Sequence, residues 1–582
     1  MRGRLLACLG SACTAVLLAG CGLPLAEGVQ RPGEVPAEQR LSEPINVLPP
    51  GPQPGASPEA VVVGFLAAQS SARDEHGIAR QFLAPAQARS WDDDAGVTVY
   101  DPGTVTPQAE QEGDGVVVSL RLDVVGGIQR DGAADVRAAT PVVQRYKLRQ
   151  EPDKQWRLVQ VPSGLSLSPT ARDRAYDALS VHFLAPQVAG ANRHLVADLL
   201  QLPADAPRAQ VLVERLLAGP SSGLDDSVQT AVPAGTRLLS PVTNSAQGDI
   251  TVDLSSEVGT LPDAAKQELS AQLVWTLRQV PGFARLHLLV EGVPLAVPGV
   301  AVPQPQSSWP GFNPAGAAER PGALAISGGQ LRDLDRTREQ PPAPLLEALS
   351  GVVDVAVDPR SSTLAVLTGS AGRRTIRTGA PTGPLTAGLT AYGLRSPTWG
   401  SGELGLWMLR TGEDTPAVLL LPAGGGPTMQ VAVEGLPALD DDALLRVSRD
   451  GVRIALVANG VLYVGRVVLG EAQPRVVDLR RLASGVRDVA WSTTTSLAVL
   501  VDDRRAPLLP LLRLSVDGTS SVPSGLLGVA EGEPVALAAY GEQPLLVEIR
   551  TQSNARSTIY AGDGARGFQV LLRRASRPAY PR

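Results

Sequence analysis

Five turns with aromatic or valine anchors recur along the second half of this chain: Val357-Asp358-Pro359, Trp399-Gly400-Ser401, Val447-Ser448-Arg449-Asp450-Gly451, Trp491-Ser492-Thr493 and Tyr540-Gly541-Glu542. Their anchors lie 42, 48, 44 and 49 residues apart, and each enters a short apolar run, at 364–369, 404–409, 453–458, 497–502 and 545–549. A strand-rich repeat near 45 residues is the signature of propeller blades, because one four-stranded sheet cannot bury both faces until neighbours stack beside it. Residues 322–580 are therefore expected to form a β-propeller. Five to seven blades are allowed and six is the expectation, with the strand material at 323–334 completing a blade with the C-terminal strands.

The front of the chain decides where such a body works. Arg2 and Arg4 precede an apolar run from Leu5 to Leu18 that ends in Leu18-Ala19-Gly20-Cys21. The run is too short for a standard membrane span, and a basic flank with small residues before a cysteine reads as an export signal over 1–20. The four residues resemble a lipobox, which implies that Cys21 becomes the first mature residue, carrying an S-diacylglycerol group and an N-acyl (palmitate-type) chain. Of three cysteines, Cys8 and Cys13 leave with the signal, so no intrachain disulfide and no cysteine metal site is expected. Residues 21–56 carry Pro24, Pro32, Pro36, Pro44, Pro49, Pro50, Pro52 and Pro54 and read as an extended tether. The expected location is the extracytoplasmic face of the cell membrane, held by lipid.

Two α+β domains are expected between tether and propeller. Residues 57–170 open at Ser57-Pro58-Glu59, a helix start, with Val61, Val62, Phe65 and Leu66 at helical spacing. Strands follow at 118–124, 142–148 and 156–161, an order like that of the nuclear transport factor 2 superfamily. Residues 190–300 contain the ordered strings LLAGP (216–220), PAGT (233–236), VDLS (252–255) and QLVWTL (272–277), then the turn Glu291-Gly292. These resemble the GerMN domain of exported bacterial proteins. A proline-rich joint at 294–321 is expected to separate this domain from the propeller.

The chain offers few parts for catalysis. Its four histidines, His76, His182, His194 and His287, form no HExxH and have no cysteine partner. No enzymatic activity, catalytic residue, metal or cofactor is expected. Gly562-Asp563-Gly564-Ala565-Arg566-Gly567 spells a nucleotide fingerprint but leads into strand-like Phe568-Gln569-Val570, so it reads as a hairpin turn; Gly424 to Gly426 reads as a loop. Asp92 to Asp94 and Asp440 to Asp442 could hold calcium but lack EF-hand spacing, which favours solvated loops. Arg373, Arg374 and Arg377, and the tail residues Arg573, Arg574, Arg577 and Arg582, could meet acidic polymers or lipid headgroups, or be ordinary solvated arginines. Trp399 and Trp491 occupy repeat positions, which favours blade packing over ligand stacking. The formal net charge is −6, and loss of Arg2 and Arg4 makes it more negative, which argues against nucleic acid.

Lipobox, tether, α+β unit, GerMN-like domain and propeller, in that order, resemble the LpqB lipoproteins of actinobacteria. The resemblance implies an accessory of the MtrA/MtrB two-component system. It would act on the extracellular domain of an MtrB-like sensor histidine kinase and so affect envelope homeostasis and division. Two alternatives stand beside it: an envelope carbohydrate-binding or carbohydrate-hydrolysing propeller lipoprotein, and a solute-binding lipoprotein with a deep apolar pocket.

Overall fold

Ser57 and Pro58 start the first helix as their chemistry dictates. Ser57 Oγ accepts the Ala60 N–H at 3.3 Å, and α1 (Pro58–Ala68) buries Val61, Val62, Phe65 and Leu66. This view comes from a computed structural model that describes residues 49–582 except 72, 187–192, 316–321, 335–348, 350, 359–362, 371, 382, 401–403, 413–415, 424, 471–472, 503–509, 527–531, 552–555, 564–566 and 581–582. The signal, Cys21 and the tether up to residue 48 lie outside the described residues.

α1, α2 (Arg73–Arg80) and α3 (Pro85–Ser90) accompany a sheet of β1 (Gly96–Glu112), β2 (Gly115–Gln129), β3 (Ala134–Gln150), β4 (Trp156–Gln160) and β5 (Leu165–Leu167), in the order β4-β3-β2-β1-β5. β1, β2, β3 and β4 pair antiparallel; β5 joins β1 in parallel across Val97 to Val99. β1 runs through Pro102 and Pro107, residues that ordinarily argue against a strand. The register breaks between Asp101 and Thr106, and no described strand pairs the far side of β1 beyond Val99, so neither proline costs a ladder bond there.

After α4 (Pro169–Ala175) comes a hairpin of β6 (Tyr176–Leu184) and β7 (Leu195–Pro203). Leu179, Val181 and Phe183 share a core with Leu212, Val213 and Leu216 of α5 (Arg208–Ala218) and Leu269, Leu273 and Leu277 of α6 (Asp263–Leu277). That core thus begins well before residue 190. β9 (Asp249–Leu254) and β10 (Arg285–Val290) run parallel beneath the helices, with β8 (Thr243–Asn244) pairing β9. Gly248 has φ +79°, and a Cβ there would strike the Gly282 carbonyl, so the turn into β9 demands glycine.

The expected free joint is not free over 294–315. β11 (Val293–Pro294) and β12 (Gln304–Pro305) both pair β10, Leu295 and Val297 are buried in the domain core, and Trp309 Nε1 donates to Ser270 Oγ at 2.7 Å. The prolines suggested a linker. The apolar residues between them have a surface to bury against, and that contact wins.

The rest is a six-bladed propeller. Inner strands are Ala575–Ala579 (blade 1), Val352–Val357 (2), Leu394–Trp399 (3), Leu444–Val447 (4), Val486–Trp491 (5) and Glu533–Ala538 (6). Blade 1 closes the ring: the C-terminal strand pairs Leu324–Ser327, which in turn pairs Gln330–Asp333. Blades 3 and 4 merge into one eight-stranded sheet through Ala432–Arg475 and Val433–Val476 pairing at their rims. Trp399 and Trp491 are buried in the blade cores.

Candidate functional site

The inner strands carry an irregularity that the repeat spacing cannot reveal. Register shifts fall between Val352 and Asp354, Arg395 and Thr398, Val486 and Asp488, and Pro534 and Ala536. A bulge re-aims side chains, and Asp354, Ser396, Asp488 and Val535 all line a cavity of about 650 Å³ at the mouth of the central channel. Every residue lining it belongs to the propeller. The wall carries seven carboxylates, Asp354, Asp440, Asp441, Asp442, Asp488, Asp502 and Glu533, and five guanidiniums, Arg374, Arg395, Arg487, Arg550 and Arg577.

The charges are partly matched. Arg487 Nη2 lies 3.1 Å from Asp502 Oδ2, and its Nη1 meets Glu533 Oε1. Asp488 accepts the Val489 and Leu537 N–H groups, each at 2.8 Å, and buried Arg446 Nη2 reaches its Oδ1 at 3.4 Å. Ser396, at φ +52°, accepts the Leu445 N–H at 2.9 Å, tying blade 3 to blade 4. Arg395 is less well matched: its closest approach to Asp441 is 3.8 Å, and its buried Nε has no hydrogen-bond partner. Burial first, then the guanidiniums of Arg374 and Arg577, pull the Arg395 pKa down against Asp441 and Asp442. Arg577 is pushed the other way, above the usual arginine value, by Asp354 first and then Asp488, Glu548 and Asp442, with burial opposing.

Beyond the other ends of the inner strands the channel is crossed by Arg449. Its guanidinium donates to the carbonyls of Trp491 (2.8 Å), Ser492 (3.2 Å) and Ala539 (3.2 Å), and lies 3.9 Å from the Tyr540 ring centroid. Burial lowers its pKa to about 10. On this side the N-terminal domains dock. His194 Nε2 contacts Asp450 O at 3.0 Å, Arg453 Nη2 donates to Ala197 O at 2.6 Å, and Gln201 Nε2 donates to Asp517 Oδ2 at 2.9 Å. Arg172 reaches Thr519 O at 2.8 Å, and Arg480 reaches Ala134 O at 3.3 Å. A second cavity, about 440 Å³, sits at this three-domain junction beside buried Asp198. Asp198 accepts both the N–H and the Oγ–H of Ser221, and burial nevertheless raises its pKa.

Cys21 and Arg582 lie outside the described residues, as do Gly424 and 564–566; Asp563 and Gly567 end and begin paired strands, as a hairpin requires. His182 is buried beside Trp275, with its pKa held down to about 3 by burial and then by Arg278. His76 lies against Trp91, and His287 Nε2 stands 3.8 Å from Asp249 Oδ2 on a half-exposed strand face. Asp93 pairs with Arg80 at 2.9 Å, and Asp92 with Arg130. Asp440 to Asp442 lie in a turn, as expected, with Asp441 and Asp442 exposed, and that turn forms part of the rim of the channel mouth. Arg374 and Arg577, from two separate arginine clusters, join them there. Among the described residues no three His, Cys, Asp or Glu converge as a metal site. Asp354 and Asp488 were missed, yet a signal existed: Asp354-Val355-Ala356-Val357 and Asp488-Val489-Ala490-Trp491 repeat ahead of their anchors.

Comparison with known proteins bears on the whole chain. Residues 51–173 match the family described as the lipoprotein LpqB N-terminal domain, 180–296 match the one described as sporulation and spore germination, and 329–556 match the lipoprotein LpqB beta-propeller domain. A lipoprotein LpqB of Thermobifida fusca is 28% identical over 647 residues, covering 99% of each chain. That of Cutibacterium acnes is 28% identical over 545 residues, covering 88% of this chain and 89% of the other. Among solved structures, TolB from Acinetobacter baumannii covers 82% of each chain with a TM-score of 0.35 at 11% identity. Tandem GerMN domains of the sporulation protein GerM from Bacillus subtilis cover 25% of this chain and 56% of theirs, with a TM-score of 0.18 at 16% identity.

Proposed function

The chain belongs to the LpqB lipoprotein family, and from that premise we propose that it is anchored through lipidated Cys21 on the extracytoplasmic face of the membrane and binds the extracellular domain of an MtrB-like sensor kinase, modulating it by contact rather than by chemistry. The observation that carries the choice of surface is the asymmetry of the propeller. One side is occupied by the protein's own N-terminal domains through His194, Arg453 and Gln201. The other presents a charge-lined mouth built from propeller residues alone. A lipid anchor raises the effective concentration of that mouth near membrane partners, which lets a modest affinity suffice.

The carbohydrate-hydrolase alternative needs a carboxyl pair free to face a glycosidic bond. At the mouth, Asp502 and Glu533 are engaged by Arg487, and Asp488 by two backbone amides and Arg446. Those engagements occupy three of the seven wall carboxylates; Asp440 and Asp442 have no guanidinium partner among the described residues, and the hydrolysis arm of the test addresses them. The test is titration of residues 49–582, which form one compact unit, against the kinase's extracellular domain at two salt concentrations. Binding that weakens several-fold as salt rises, and again in Asp441→Asn/Asp442→Asn, is expected for a contact at the charged mouth. Absence of binding, together with hydrolysis of an envelope polymer that a folded carboxylate variant loses, would replace this reading with the enzyme alternative.

A further inference from the structure

Three guanidiniums from three consecutive blades converge at the channel mouth: Arg577 of blade 1, Arg374 of blade 2 and Arg395 of blade 3. Such a cluster is costly without anions to match it. Its matching is incomplete: Arg374 spends one N–H on the Leu394 carbonyl at 2.8 Å, Arg395 stands 3.8 Å from Asp441, and Arg577, though Asp354 and other carboxylates hold it charged, is hydrogen-bonded through its guanidinium to no described carboxylate. Next to this basic arc, at the start of blade 4, Asp440 and Asp442 face the same cavity without a guanidinium partner among the described residues. Of the acidic groups of blades 5 and 6, Asp502 and Glu533 are engaged by Arg487, and Asp488 by two backbone amides and Arg446.

We propose that the channel mouth binds a small dipolar ligand, a free amino acid or short peptide with both ends unblocked. Its carboxylate sits on Arg374, Arg395 and Arg577, and its ammonium on Asp440 and Asp442. A simple dianion does not fit, because carboxylates outnumber guanidiniums on the wall and several of them face Arg577. A simple cation meets three clustered guanidiniums. A dipole satisfies both arcs at once, and about 650 Å³ lies within the usual range for small-ligand sites. The site shares the mouth and Asp442 with the kinase contact proposed above, and trialanine binding is read in the absence of the kinase, so either proposal can fail alone.

Calorimetry on residues 49–582 tests this with trialanine, N-acetyl-trialanine, trialanine amide and inorganic phosphate as probes. Trialanine binds, and blocking either end weakens it about tenfold or more, the loss of one charge-assisted contact. Phosphate binds more weakly than trialanine. Arg577→Gln weakens trialanine by a similar factor while the protein stays folded, even if Arg395→Gln disturbs folding. Asp442→Asn weakens trialanine but leaves N-acetyl-trialanine unchanged. No binding of trialanine, equal binding of its amide, or tighter binding of phosphate overturns the proposal.

Discussion

Asp450 Oδ2 lies 3.1 Å from Arg453 Nη1, with side chains 0% and 8% exposed, and the same guanidinium reaches across to Ala197 O of the GerMN-like domain. This ion pair shapes the turn that ends the blade 4 inner strand: Asp450 Oδ1 also accepts the Val452 N–H at 3.2 Å. The pair is thus where a blade's internal geometry becomes a domain contact.

Breaking that pair from one side leaves an uncompensated buried charge. Asp450→Asn or Arg453→Met is expected to cost about 3–5 kcal/mol of unfolding free energy. The double variant should cost less than the sum of the two, since no lone charge remains. Urea denaturation of residues 49–582 measures all three. A loss of less than about 1 kcal/mol for each single change would show that the pair is solvated and the docking looser than described.

The buried histidine of β6 makes stability fall with acid. His182 titrates near 3 in the fold and near 6.5 in the unfolded chain. Between those values the unfolded chain takes a proton that the folded chain refuses, so this contribution is present above pH 6.5 and is lost as pH falls toward 3. Asp198 works with the opposite sign, because its raised pKa lets the fold keep a proton longer. His182→Gln should therefore lose less stability than the parent between pH 7 and pH 4, whatever its stability at pH 7. Parallel slopes in the two proteins would remove His182 from the acid response.

Trp407 is fully buried between blades 3 and 4, and Val143 on β3 is 62% exposed. Trp407→Ala should destabilise by about 3–5 kcal/mol through lost burial and the cavity left behind. Val143→Ser should stay within about 0.5 kcal/mol of the parent. Chemical denaturation of both variants checks the contrast, and a mild Trp407 phenotype would mean that the blade interface repacks.

The proposed lipidation rests on one thiol, that of Cys21. Cys21→Ala should leave the precursor uncleaved and unacylated, so that the attachment supplied by the acyl chains, about 0.8 kcal/mol for each CH₂, is lost. Mass spectrometry of the mature N-terminus decides it. Cleavage at another residue would end the anchor argument.

The sequence by itself determined the parts that depend on local periodicity. Anchors about 45 residues apart specify blades, Ser57-Pro58 specifies a helix start, and alternation at Ile250, Val252 and Leu254 specifies a strand, because each follows from residues near one another in the chain. Prolines weaken a local reading in two places: Pro102 and Pro107 lie in the exposed part of β1, where they cost no ladder bond, and Pro294 to Pro310 suggested a joint where burial of Leu295, Val297 and Trp309 into a core outweighs propensity. Only the tertiary structure decided the mouth. Arg374, Arg395, Asp440, Asp488 and Arg577 come from five blades or their connecting turns, and a bulge of one residue in a strand selects which of its side chains faces the channel. Ring closure then brings together charges separated by up to about two hundred residues of sequence, a proximity set by non-local contacts that no local pattern encodes.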